Sequence, residues 1–130
     1  MDNRTLLKQF YAKRKRTRAV STKVDDIRFP SQLEASVYCL LKLMVKSGDY
    51  ENLRVHPKIN MVGDLNWNID FLIFNKTRGV DEAHEVKGIE FERYRAQVQA
   101  WSGCMNIDLF IWKGTADNPR MVKIIRGKND

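Results

Sequence analysis

The sequence predicts an α/β domain in which a central mixed sheet is flanked by helices. Residues 30–47 have the apolar spacing of an amphipathic helix, and residues 66–74 alternate like a half-buried strand. A second helical pattern at residues 90–103 precedes two apolar segments, at residues 107–112 and 121–125. Helical and extended segments that alternate in a chain of 130 residues favour one layered domain.

The helix at residues 30–47 has signals at both ends. Ser31 is a typical N-cap residue, and Glu34 follows three residues later, as in a capping box. Gly48 is a typical C-terminal stop. The residues expected to face a sheet are Leu33, Val37, Leu40, Leu41 and Met44.

The strands are expected from alternation and from turn residues. An extended segment at residues 53–62 contains Pro57, which indicates a sheet edge or a bend. A short strand is expected at residues 82–87, and a loop at residues 114–119, so that the predicted order is α-β-β-β-α-β-β. In the strand at 66–74, one face is expected to hold Trp67, Ile69, Phe71 and Ile73, and the other Asn68, Asp70, Leu72 and Phe74.

Charge and cysteine content exclude some classes of function. The chain has 23 Lys and Arg against 16 Asp and Glu, a net charge of +7, which favours a polyanionic partner such as nucleic acid. Cys39, Cys104, His56 and His84 are too few and too scattered for a closed zinc site, and both cysteines are expected in the core. Without a long apolar segment or a signal peptide, we expect a cytoplasmic protein, or a nuclear one in a eukaryotic host, with no membrane partner.

Residues 1–28 are predicted to form an N-terminal helix and a basic arm, ahead of a core domain at residues 29–130. The helix is expected at residues 4–11, and a dense basic run follows at residues 13–18. Such a run fits an arm that contacts phosphates, and it fits a solvated helix end equally well. Its cations are Lys13, Arg14, Lys15, Arg16 and Arg18.

An acidic residue within an apolar strand is the first sign of a functional site. Asp70 lies between large apolar residues, where strands disfavour Asp and where a charge must be paired, hydrated or metal-bound. In the next strand, alternation points Glu85 and Lys87 to one face and Val86 to the core. Two strands joined by a short loop can therefore place Asp70 beside Glu85.

Adjacent carboxylates repel each other, and a divalent cation removes that repulsion. The pattern predicts a Mg²⁺ site, with Mn²⁺ as a substitute, that activates water and polarises a phosphodiester. Lys87 would orient the nucleophile and offset negative charge, and Glu34 would hold or deprotonate a water. Simpler roles are also open. Glu85 and Lys87 fit a surface ion pair, Asp70 fits a turn, and Glu34 fits a helix cap.

Three segments follow one another along the chain: Phe29-Pro30-Ser31-Gln32-Leu33-Glu34, Asn68-Ile69-Asp70-Phe71-Leu72 and His84-Glu85-Val86-Lys87-Gly88. In this order they resemble the PD-(D/E)xK nuclease superfamily, and within it small phage-type junction-resolving endonucleases. The resemblance spans residues 29–112 and departs from the family pattern at Asn68-Ile69, which replaces a proline before the aspartate.

The resemblance implies a restriction-endonuclease-like core and assigns a role to each site residue. Asp70, Glu85 and the Val86 carbonyl would be metal ligands. Lys87 would be the catalytic lysine, and Glu34 would be the helix acid.

We therefore expect a Mg²⁺-dependent DNA endonuclease of a phage or bacterial host, selective for branched DNA such as Holliday junctions. The two-fold character of a junction favours a homodimer. Arg93, Arg95 and Gln97, on the helix after the lysine, are expected to contact DNA. The alternatives are a nuclease directed at nicks, ends or flaps in repair or packaging, and a basic nucleic-acid-binding module without catalysis. RNA also stays open as a substrate.

Overall fold

A five-stranded mixed sheet with a helix on each face forms the body of the protein. The computed structural model describes residues 21–62, 65–87 and 92–128. The helices are α1 (Gln32–Ser47) and α2 (Glu92–Cys104). The strands are β1 (Thr22–Val24), β2 (Ile27–Phe29), β3 (Tyr50–Val55), β4 (Lys58–Val62), β5 (Leu65–Asn68), β6 (Phe71–Asn75), β7 (Val80–Val86), β8 (Leu109–Thr115) and β9 (Asn118–Ile125).

The order of strands in the sheet is β3-β6-β7-β8-β9. β7 and β8 run parallel, and the other neighbouring strands of this sheet run antiparallel. Two separate hairpins, β1–β2 and β4–β5, lie outside the sheet. The predicted α/β domain with a mixed central sheet and flanking helices is confirmed. The predicted order α-β-β-β-α-β-β is wrong, because two strands precede α1 and five strands separate the helices. The segment expected as one strand at residues 53–62 is divided into the end of β3 and the whole of β4, with His56 and Pro57 between them.

Each helix covers its own apolar core on one face of the sheet. The core under α1 contains Phe29, Ala35, Val37, Tyr38, Leu41, Phe71, Ile73 and Trp112. The core under α2 contains Met61, Trp67, Ile69, Ala83, Trp101, Leu109, Ile111 and Ile125. Among the described residues, no helix is long and apolar enough to cross a membrane.

Helix α1 begins and ends as predicted. The Ser31 hydroxyl accepts a hydrogen bond from the Glu34 N–H (3.1 Å), and this bond satisfies one of the free donors of the first turn. Gly48 takes a left-handed conformation with φ of 99°, and its N–H donates to the Val45 carbonyl. The cap is therefore formed by Ser31, which leaves the Glu34 carboxyl available for other contacts.

The predicted strand around Asp70 is interrupted, and this changes which faces its side chains occupy. Ile69 and Asp70 lie outside the strands, between β5 and β6. Trp67 and Ile69 enter the core under α2, whereas Phe71 and Ile73 enter the core under α1. The prediction that these four apolar residues share one face is wrong, because the interruption resets the alternation of the strand.

The segment before α1 forms a hairpin that the sequence analysis does not predict. Asp25 and Asp26 connect β1 to β2 with φ angles of 53° and 63°, the conformation that suits a two-residue hairpin turn. The Tyr38 hydroxyl donates to the Asp25 carboxylate (2.9 Å), which ties the hairpin to α1. The predicted helix at 4–11 and the basic run at 13–18 lie outside the described residues.

Two smaller predictions need correction. The segment 114–119 is a tight hairpin between β8 and β9, because β8 continues to Thr115 and β9 already begins at Asn118. Cys39 is exposed rather than buried, since it lies off the stripe of α1 that faces the sheet, and Cys104 is half-buried.

Candidate functional site

Asp70 lies in the gap between β5 and β6, where neighbouring segments fix its backbone and its carboxylate. Its carbonyl oxygen accepts a hydrogen bond from the His56 N–H (2.8 Å). Its carboxylate Oδ2 accepts one from the Val86 N–H (2.7 Å). The negative charge of Asp70 is thus held at the end of β7, beside Glu85.

Glu85 approaches Asp70 from β7 and is only 8% exposed. Its Oε1 accepts a hydrogen bond from the Asp70 N–H (3.0 Å), and its Oε2 accepts one from the Trp67 indole N–H (2.9 Å). Burial and the adjacent Asp70 carboxylate raise the pKa of Glu85 to about 9. The predicted proximity of Asp70 and Glu85 is therefore present in the structure.

Glu34 reaches the same place from α1 and is 5% exposed. Burial, together with the charge of Asp70 and a hydrogen bond to it, raises the pKa of Glu34 to about 8. We refer to Glu34, Asp70 and Glu85 as the carboxyl cluster. Because Asp70 raises the pKa of both glutamates, the cluster retains protons at neutral pH instead of carrying three negative charges.

His56 is a member of the site that the sequence analysis set aside. Its Nε2 lies 2.7 Å from Glu34 Oε2, a hydrogen bond that needs one proton between the two groups. One ligand atom each from Glu34, His56 and Asp70 lie within 4.8 Å of one another. His56 follows the end of β3 with φ of 55°, an unusual backbone conformation that turns the chain beside Asp70.

Lys87 follows directly after β7. Its N–H donates to the Trp112 carbonyl (2.9 Å), which extends the pairing of β7 and β8 by one hydrogen bond. Val86 packs against the core under α1, while Glu85 bonds to Trp67 in the other core, so the two side chains point to opposite faces as predicted. The same alternation places Lys87 on the face of Glu85.

The next residue back in β7, His84, has a structural role. Its ring stacks on Phe110 with 4.8 Å between centroids, and its Nδ1 accepts a hydrogen bond from the Trp112 indole N–H (2.9 Å). Burial lowers the pKa of His84, and the hydrogen bond from Trp112 connects the ring to the core under α1. The prediction that it faces away from Glu85 is confirmed.

The structure describes only some of the residues that were predicted to contact DNA. Arg95 is exposed on α2. Gln97 is 7% exposed, and its side-chain amide donates to the Asn66 carbonyl (3.1 Å), so it connects α2 to the β4–β5 hairpin. The side chain of Arg93 and the whole of residues 13–18 lie outside the described part of the chain.

The raised pKa values of the carboxyl cluster determine how the stability of the metal-free protein should depend on pH. Folding raises the pKa of Glu34 and Glu85 from 4.5 to about 8 and about 9, so the folded state binds protons more tightly than the unfolded chain. The free energy of unfolding should therefore fall as the pH rises through this range. The other shifted groups in the described residues titrate below 6.5 or above 10.

Thermal or urea unfolding in the presence of a chelator, at several values between about pH 7 and pH 9, measures this effect. Glu34→Gln is the matched variant, because the amide can still bond to His56 but cannot ionise. It should make the decline shallower. Stability that stays level or increases over this range in the wild type would contradict the described electrostatics.

Comparison with known proteins finds no relative of this chain. No protein-family model, curated protein or solved structure matches this chain.

Proposed function

We propose that this protein is a metal-dependent endonuclease that hydrolyses phosphodiester bonds in DNA, with selectivity for branched DNA. The proposal depends on one observation. The half-buried Asp70 carboxylate lies against two buried carboxyl groups, Glu34 from α1 and Glu85 from β7. Buried carboxyl groups are seldom grouped in this way unless protons or a cation offset their charge.

The donor set of the cluster suits a hard divalent cation. Mg²⁺ and Mn²⁺ prefer carboxylate and carbonyl oxygens, and Mg²⁺ keeps several water ligands. Asp70, Glu85 and the Val86 carbonyl would hold the ion. Each Glu85 oxygen accepts one hydrogen bond, so that after loss of the proton each retains a lone pair for a cation. Because imidazole is not a usual ligand of Mg²⁺, we assign His56 to positioning Glu34.

The residues around the cluster would divide the chemistry of hydrolysis between them. A bound cation would supply Lewis-acid activation of water and of the phosphate. Lys87 would bind the scissile phosphate and offset its developing negative charge. The Glu34 carboxylate, held by His56, would accept the proton of the attacking water. A cation bound at Asp70 and Glu85 would lower the pKa of Glu34 from its metal-free value of about 8, so that Glu34 would lose its proton and act as a general base near neutral pH.

Charge and size support DNA as the substrate. A net charge of +7 favours binding to DNA phosphates. Binding of this kind depends little on the base sequence of the DNA. The α/β domain by itself offers little surface for reading a long base sequence, which supports recognition of DNA shape. A homodimer with two sites would match a four-way junction. The fold is compatible with a restriction-endonuclease-like core.

Cleavage of a substrate panel tests the proposal. Four-way junctions, flaps, nicked and linear duplexes, single strands and RNA would each be incubated with Mg²⁺, Mn²⁺ or a chelator. We expect cleavage with either metal, fastest on four-way junctions, and none with the chelator. A preference for flaps or nicks would favour the repair or packaging alternative. Binding without cleavage would favour a non-catalytic module, and cleavage in chelator would overturn the metal site.

A further inference from the structure

A basic groove of about 360 Å³ lies between α2 and the β8–β9 hairpin. Arg95 contributes to it from α2, Lys113 from β8 and Lys123 from β9. Among the described residues that line the groove, none is acidic, and Val98, Ile111 and Val122 are apolar. Three cations from three separate elements thus line the groove together with apolar side chains.

A β-bulge in β9 allows two neighbouring side chains of this strand to line the groove. Lys123 pairs with Ile111, but Met121 pairs with the next residue of β8, so Val122 is an extra residue in the strand. Neighbouring side chains of a regular strand point to opposite faces. The bulge instead lets both Val122 and Lys123 line the groove.

Strand pairing places the groove near the candidate site. Glu85 pairs with Ile111 in β8, and Ile111 pairs with Lys123 in β9. Because neighbouring strands are about 5 Å apart, the Lys123 backbone lies roughly 10 Å from that of Glu85. The same register, extended by one residue, sets Lys87 beside Lys113.

We propose that this groove binds the sugar-phosphate backbone of the DNA strand that flanks the cleaved bond. The identity of the substrate rests on the proposed function, whereas the groove as a phosphate site rests on its own cations. Arg and Lys side chains position DNA through phosphate contacts, and apolar side chains can pack against deoxyribose. A row of cations that leads away from the carboxyl cluster fits a chain of phosphates better than a single anion.

The test is the salt dependence of DNA binding in a chelator, so that no cleavage occurs. Binding of a labelled four-way junction and a linear duplex would be followed by fluorescence anisotropy at several salt concentrations. Lys113→Ala/Lys123→Ala should reduce the slope of log K against log salt by about 2, since each lost phosphate contact contributes about 0.9. Lys123→Glu changes a single exposed residue and should also reduce the slope. This variant keeps the test valid if the double variant does not fold.

Lys46→Ala/Lys76→Ala is the matched control, because it removes the same charge from exposed positions on α1 and on the turn after β6. We expect its slope to stay near that of the wild type. Equal slopes for both double variants, or no DNA binding by the wild type, would overturn the groove proposal. Cleavage with Mg²⁺ is measured separately. A wild type that binds through the groove but does not cleave would refute the nuclease proposal, while DNA binding by the groove would still be supported.

Discussion

Asp70→Asn is expected to reduce DNA cleavage severely and, at the same time, to stabilise the metal-free protein at alkaline pH. The amide oxygen can still accept the hydrogen bond from the Val86 N–H, so the local backbone should be retained. The charge that raises the pKa of Glu34 and Glu85 is lost, however. We expect a gain of about 1 kcal/mol near pH 9, since one pKa unit corresponds to ~1.4 kcal/mol. Cleavage should fall by about 10³-fold, because a central ligand is missing.

Asp25→Asn is the matched control for this variant. Asp25 is a carboxylate whose pKa is lowered by hydrogen bonds from Lys42 and Tyr38. Its replacement should therefore lower stability slightly or leave it unchanged, and cleavage should persist. Unfolding at about pH 6 and pH 9 and single-turnover cleavage rates provide the measurements. An Asp70→Asn protein that cleaves normally, or that is less stable than the wild type at the higher pH, would contradict the assignment.

Lys87→Met is expected to reduce the cleavage rate by about 10² to 10³-fold without loss of metal binding. The methionine keeps much of the length of the side chain but removes the charge that would act on the phosphate. Lys87 is not among the proposed ligands, so Mn²⁺ should still stabilise the variant against heat. Single-turnover cleavage and thermal shift with Mn²⁺ measure the two properties separately. Lys46→Met, on the exposed side of α1, is the control.

Either of two results would argue against this role for Lys87. Full cleavage activity in the variant would show that the charge is not needed. Loss of the Mn²⁺ response together with cleavage would show that Lys87 supports the fold of the metal site instead of the reaction.

Local signals explain the parts of the fold that the sequence predicts well. Ser31 and Gly48 mark the ends of α1 through hydrogen bonds within a few residues, and strand alternation places Glu85 opposite Val86. The sequence also offers two roles for Glu34, a helix cap or a site acid. The structure shows that Ser31 caps the helix and that the Glu34 carboxyl turns toward His56.

Long-range pairing explains what the sequence does not predict. His56 contacts Glu34 across 22 residues, and Trp67 contacts Glu85 across 18. Neither contact follows a periodic pattern, because each depends on how separate elements meet. The interruption of the predicted strand at Asp70 also depends on long-range pairing. Alternation alone favours one continuous strand, whereas β5 pairs with β4 in a separate hairpin and frees Asp70 to contact β7.

The carboxyl cluster as a metal centre is tested most directly by calorimetric titration of Mn²⁺ into the metal-free protein. Repeating the titration at about pH 7.5 in two buffers with different ionisation enthalpies gives the number of protons released. We predict saturable binding with release of about one proton or more, because both glutamates are largely protonated beforehand, and no binding by Asp70→Asn. Absence of saturable binding in the wild type, or equal binding by Asp70→Asn, would contradict the proposed metal centre.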